Sequence, residues 1–135
     1  MNPSEETLLP VLLRHGIELP GGQVEQLTRY CELLWDWNTK INLTRHTDYE
    51  KFVSRDLVDS RAFAQFLEPQ ERVLDVGTGG GVPGVVLAIL REDLKVSLCE
   101  SVGKKARAVA DIVQRLGLAA PVIHGRAEDL LAGEK

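Results

Sequence analysis

No stretch of this 135-residue sequence approaches the roughly 20 consecutive apolar residues of a membrane-spanning helix, so no such span is expected. The first residues, Met1-Asn2-Pro3-Ser4-Glu5-Glu6, lack the basic flank and apolar centre of a secretory signal, which makes the cytoplasm the expected compartment. Cysteine is scarce. Cys31 and Cys99 stand alone, without metal-ligand spacing or a disulfide framework, and are expected to be buried, reduced thiols. A surplus of positive charge is also missing: the net charge is −4, so bulk charge does not attract nucleic acid. The acid excess sits in residues 1–70, with 11 acidic and 7 basic side chains, so a basic patch would have to be local. There is no internal repeat. What remains, 44% hydrophobic and 27% charged residues, is the balance of one globular domain.

Residues 1–68 read as a helical region. A short helix is expected over Glu5–His15, bent by Pro10. A second follows Gly21-Gly22, with Val24, Leu27, Cys31, Leu34 and Ile41 as its apolar stripe. Thr47-Asp48-Tyr49-Glu50 reads as a capping box for a third helix reaching Leu67, with Phe52, Val53, Leu57, Ala64 and Leu67 inward. After Pro69 the grammar changes. Arg72–Val76, Leu94–Glu100 and Pro121–His124 read as strands, with helices over Pro83–Leu90 and Val102–Leu116 between them and Gly117 as a stop. Strand-helix alternation over 69–135 implies right-handed crossovers and a parallel sheet, an α/β fold.

Asp75-Val76-Gly77-Thr78-Gly79-Gly80-Gly81 lies where the first strand hands over to a helix. Glycines there let the chain turn tightly and let a ligand approach the backbone. Gly79-Gly80-Gly81-Val82-Pro83-Gly84 also matches the G-x-G-x-x-G of dinucleotide binders. The acid two residues before Gly77 favours a different ligand. A carboxylate suits the amino group or sulfonium of S-adenosylmethionine and is a poor neighbour for pyrophosphate, and Pro83 removes a donor that a phosphate would use. Glu100 closes the second strand, where a carboxylate can accept from both ribose hydroxyls. Gly125-Arg126-Ala127-Glu128-Asp129 could fold over an adenine.

Over nearly its whole length the chain resembles the RsmG (GidB) family of methyltransferases. Trp37-Asn38-Thr39-Lys40-Ile41-Asn42-Leu43-Thr44 is similar to the family's W-N-x-x-x-N-L-T, and Asp59-Ser60 to the end of its R-H-x-x-D-S. The segment Asp75–Gly84 resembles D-V-G-[ST]-G-x-G-x-P-G, Glu100–Lys105 resembles D-S-x-x-K-R, and Gly125–Glu128 resembles G-R-A-E. Three positions depart: Asp56 stands where the family usually has His, Glu100 replaces Asp, and Lys105 replaces Arg.

The resemblance implies a Rossmann-like S-adenosylmethionine-dependent methyltransferase with an N-terminal helical extension, acting on guanine N7 of bacterial 16S ribosomal RNA. The implied cofactor residues are Asp75, Gly77, Thr78, Gly79, Gly81, Glu100, Ala127 and Glu128; Lys104, Lys105 and Arg107, with Arg115 further along the same helix, would meet RNA phosphates. N7 carries an exposed lone pair, so alignment rather than a general base is needed, no catalytic residue is assigned, and His15, His46 and His124 read as surface or structural. The family's sheet has seven strands and this sequence supplies three. Residues 69–135 then form the first half of the methyltransferase domain, a fragment or truncated product whose open edge invites self-association. Leu74, Val76, Val86, Leu98, Ile112 and Val113 would form a core open on one side. Two other readings stay open: a non-catalytic cofactor-binding module and a small-molecule methyltransferase.

Overall fold

A computed structural model describes residues 7–129. Helix α1 spans Leu8–Arg14. Pro10 falls in its first turn, where a missing N–H leaves no bond unmade, so it helps start the helix rather than bending it. The expected start at Glu5 lies outside the described residues. Helix α2 (Gly21–Asn38) begins directly after Pro20 and takes Gly21-Gly22 into its own first turn. Leu27, Cys31 and Leu34 are buried as the stripe predicts, and so is Tyr30, whereas Ile41 lies beyond the helix end.

The next helical run is capped by Asp48, whose carboxylate accepts the Lys51 N–H at 2.8 Å. This corrects the Thr47–Glu50 box: the stronger capping side chain sits one residue later. The run consists of α3 (Tyr49–Lys51), a π-helical stretch (Phe52–Leu57) and α4 (Val58–Ala64), ending short of Leu67. Phe52, Val53, Leu57 and Ala64 are buried as expected.

Strands β1 (Arg72–Val76), β2 (Lys95–Glu100) and β3 (Val122–His124) form a parallel sheet in that order. Helices α5 (Gly84–Leu90) and α6 (Gly103–Leu116) make the crossovers, and Gly117, at φ +68°, ends α6. Crossovers of one hand that step the same way put both helices on one face of the sheet, where both pack against α2. Strand side chains alternate, so Val96 and Leu98 are buried under the helices while Leu74 and Val76 point to the other face, 41% and 55% exposed. Leu74 and Val76 are therefore not core residues; Val86, Leu98, Ile112 and Val113 are. The fold is the expected α/β arrangement, with Leu74 and Val76 exposed on the second sheet face among the described residues.

Helix α2 packs on α5 and α6. Trp37 Nε1 donates to Asp111 Oδ2 at 2.9 Å, and Gln26 Nε2 to the Leu116 carbonyl at 2.9 Å. Asn38 Oδ1 accepts from the amides of Leu43 and Thr44, at 2.8 and 3.0 Å, and shapes the turn after α2. Cys31 and Cys99 are buried and free. No described helix is long and apolar enough to cross a membrane.

The Trp37 indole N–H, followed by the Arg115 guanidinium, holds the Asp111 carboxyl below the usual range. A depressed folded-state pKa contributes stability above the unfolded value, about 3.9, that is lost as pH falls through the folded one. Trp37→Phe should therefore lose about 1 kcal/mol at pH 7, roughly 3–5 °C in melting temperature. Melts repeated at pH 3 should show a smaller gap between wild type and variant; an equal gap would mean that the indole acts by packing alone.

Candidate functional site

Beyond Val76 the chain leaves the sheet. The amides of Gly77 and Thr78 both donate to the Cys99 carbonyl, at 2.8 and 3.2 Å, which fixes the start of the loop against the end of β2. Gly81 N–H donates to Thr78 O at 2.8 Å, closing a turn. Gly81 sits at φ +102°, and a Cβ there would come within 2.6 Å of the Val85 side chain. Gly84 is needed for space: a Cβ would collide with the side chains of Leu98 and Asp75.

Two carboxylates hold this loop. Asp75 Oδ2 accepts from Thr78 Oγ1 at 2.7 Å and from Gly84 N at 2.9 Å, tying strand, loop and helix start together. Burial pushes the Asp75 carboxyl above its ordinary range, with the Glu100 charge adding to the rise, while the Thr78 and Gly84 bonds pull against it. Glu100 is 5% exposed; its Oε1 accepts from Gly79 N at 2.8 Å and its Oε2 from Val102 N at 2.9 Å. Asp75, Gly77, Thr78, Gly79, Gly81 and Glu100 thus form one constellation at the carboxyl ends of β1 and β2.

The remaining expected residues are less closely joined. Gly125 N–H donates to the Glu100 carbonyl at 3.0 Å, so the loop after β3 starts beside Glu100. Ala127 is half-buried and Glu128 exposed, and the Glu128 carboxylate makes no hydrogen bond to the glycine loop among the described residues. Lys104, Lys105 and Arg107 occupy the first turns of α6, where Lys104 and Arg107 are exposed and Lys105 half-buried. Arg115 leaves that group: it sits in the last turn and pairs with Asp111 at 3.1 Å. His15 lies 2.7 Å from Glu50, and His124 Nε2 is 3.2 Å from the Ser101 carbonyl.

Tyr30 is the residue that sequence reasoning missed. It is fully buried on α2, and its hydroxyl donates to the Gly80 carbonyl at 2.8 Å. Burial pushes its phenol well above the ordinary value. Its position, three after Leu27 and four before Leu34, marks it as inward-facing, and a buried tyrosine hydroxyl needs a partner. Gly80 is also pressed by α2, since a Cβ there would lie 2.9 Å from Leu34 Cδ1.

If Asp75 braces the loop, Asp75→Ala strands two donors, at about 1–3 kcal/mol for each left without an acceptor. Asp75→Asn keeps an acceptor oxygen and should lose less than half as much in urea unfolding. Equal losses would show that the charge, not the pair of hydrogen bonds, is what matters.

The family described as "GidB: rRNA small subunit methyltransferase G" matches residues 23–135. Among curated proteins, the chain is 48% identical to the ribosomal RNA small subunit methyltransferase G of Rhodopirellula baltica, over 89% of this chain and 52% of that protein. It is 40% identical to the protein of that name from Roseiflexus sp. (91% of this chain, 53% of the relative) and 35% identical to that of Clostridium novyi (88% and 50%). The chain spans about half the length of the curated relatives it matches. With a family match over most of the chain, and the glycine loop inside the matched region, the chain belongs to the rRNA small subunit methyltransferase G family.

Proposed function

We propose that this chain carries the cofactor-binding part of an S-adenosylmethionine-dependent methyltransferase that acts on guanine N7 of 16S ribosomal RNA. The observation that carries the reading is the buried Glu100 carboxylate facing the glycine loop. A carboxylate offers about four acceptor positions, and the amides of Gly79 and Val102 use two. Two remain for the vicinal hydroxyls of a ribose. Asp75 likewise keeps Oδ1, with no hydrogen bond among the described residues, for a cationic amino group.

The start of α5 argues against a dinucleotide. Pyrophosphate sites use free amides at a helix N-terminus. Here Pro83 has none, Gly84 N–H is taken by Asp75, and Val85 N–H donates to Gly81 O at 2.7 Å. The ligand this loop suits is positively charged at one end and hydroxylated at the other.

When bound, S-adenosylmethionine supplies an electrophilic methyl group on sulfur. The chain's own residues would then orient: Glu100 the ribose, the Gly77–Gly81 backbone the methionine portion, Ala127 and Glu128 the adenine edge. Guanine N7 needs no deprotonation, so alignment is the main contribution. Lys104, Lys105 and Arg107 form a local basic group for phosphates on an otherwise acidic chain. The substrate partner on this reading is 16S ribosomal RNA or the small ribosomal subunit, and the compartment is the cytoplasm.

Calorimetry with S-adenosylhomocysteine is the direct test. Glu100→Gln should weaken binding by about 1–3 kcal/mol, while Glu100→Asp, which keeps the charge, should lose less. Binding of NAD with no response to either adenosyl compound would overturn the reading. Reversing the charge of both Lys104 and Lys105 should weaken RNA binding more than cofactor binding, with only a modest salt slope in the wild type because few phosphates are contacted.

A further inference from the structure

Against the far end of the glycine loop lies a concavity of about 350 Å³, lined by Arg55, Asp56, Asp59, Ser60, Phe63, Val82 and Pro83. Val82 and Pro83 belong to the loop itself, immediately before Gly84, so the cavity shares a wall with the cofactor site proposed above. The other wall is helical. Arg55 and Asp56 come from the π-helical stretch and Asp59, Ser60 and Phe63 from α4, so these two pieces together make the wall that faces Val82 and Pro83. Mid-helix π geometry of this kind is frequent at functional sites.

Two observations mark the cavity as built to receive something. Ser60 is 1% exposed, and its Oγ has no hydrogen-bond partner among the described residues. Native structures rarely leave a buried hydroxyl unsatisfied. The side chains of Arg55, Asp56 and Asp59 also enter no ion pair or hydrogen bond among the described residues, although one is cationic and two anionic. Asp56 feels the charges of His46, Asp59 and Arg55 without a direct bond to any of them among the described residues, and Phe63 is 46% exposed.

We propose that this cavity holds the base to be methylated, and that Asp56, Asp59 and Ser60 select guanine by its donor edge. The proposal rests on the methyltransferase reading above and adds to it the residues that recognise the substrate. Carboxylates only accept hydrogen bonds. Guanine presents N1–H and the N2 amino group side by side, two donors for two acids, whereas adenine has an acceptor at N1 and would leave one acid unpaired. Unstacked bases are held on aromatic rings and read along their Watson–Crick edge. Phe63 supplies the ring, and Arg55 supplies a guanidinium for the base face or its phosphate. An edge held by Asp56 and Asp59 leaves N7, on the opposite side of the purine, free to face the loop.

Guanosine monophosphate and adenosine monophosphate, titrated into the S-adenosylhomocysteine-saturated chain and followed by amide NMR, test this. Guanosine monophosphate should shift Ser60 and Phe63, and adenosine monophosphate should bind roughly tenfold more weakly. Asp59→Asn and Ser60→Ala should each weaken the guanine nucleotide several-fold while leaving S-adenosylhomocysteine affinity unchanged. Ser60→Ala also separates function from structure. It removes a hydroxyl that bonds to nothing described, so melting should be unchanged or raised even as base binding falls. Equal affinity for both nucleotides, or shifts confined to other surfaces, would overturn the proposal. If Asp59→Asn weakened S-adenosylhomocysteine and nucleotide alike, the acids would belong to the cofactor's amino group, which also overturns it. Failure of S-adenosylhomocysteine to bind while guanosine monophosphate still shifts the pocket would instead overturn the cofactor reading alone.

Discussion

A loop made mostly of glycine has backbone donors and almost no side chains to pair them, and an unpaired amide in a half-buried place costs about 1–3 kcal/mol. Here the shortage is met by two acids at the ends of adjacent strands. Between them Asp75 and Glu100 accept from Thr78 Oγ1 and from the amides of Gly84, Gly79 and Val102. That arrangement depends on register. Val76 pairs with Cys99, so Glu100 emerges one residue past the end of β1, directly under the turn it must hold. A slip of one residue between the strands would turn one of the two carboxylates to the wrong face of the sheet. The loop, the start of α5 and the start of α6 all hang on this one alignment of parallel strands.

Much of the architecture was legible because its punctuation is chemical. Pro69, the glycines at 77–81 and Gly117 bound runs too short and too apolar to be anything but strands and crossover helices. What periodicity could not convey was which face of the sheet is covered. Val73-Leu74-Asp75-Val76 is nearly continuous in apolar character, as buried parallel strands are, so Leu74 and Val76 read as core although both helices lie on the other side. The π-helical stretch was equally hidden, since its spacing differs from an ordinary helix by less than one residue per turn.

In the candidate site the residues were found but their first allegiance was not. Spacing marks Asp75 and Glu100 as acids near a ligand; it does not reveal that each is already committed to holding backbone. The Trp37-Asn38 element is a recognisable signature in sequence, and its physical reason emerges only in three dimensions: an indole anchored on Asp111 and an amide shaping the turn at Leu43-Thr44. Ser60 was visible only as half of a motif. Its missing partner is a fact about packing, and no linear pattern records it.

The bond from Tyr30 to Gly80 has a consequence for traffic. With the phenol and Leu34 pressed against Gly80, the side of the turn that faces α2 is sealed by side chains that would have to leave the core to let anything through. A ligand held as proposed would therefore reach the loop from the carboxyl ends of the strands, where Gly77 is exposed and the Gly125 segment starts beside Glu100. On that reading, exchange would be one-sided, by way of the segments that follow β2 and β3.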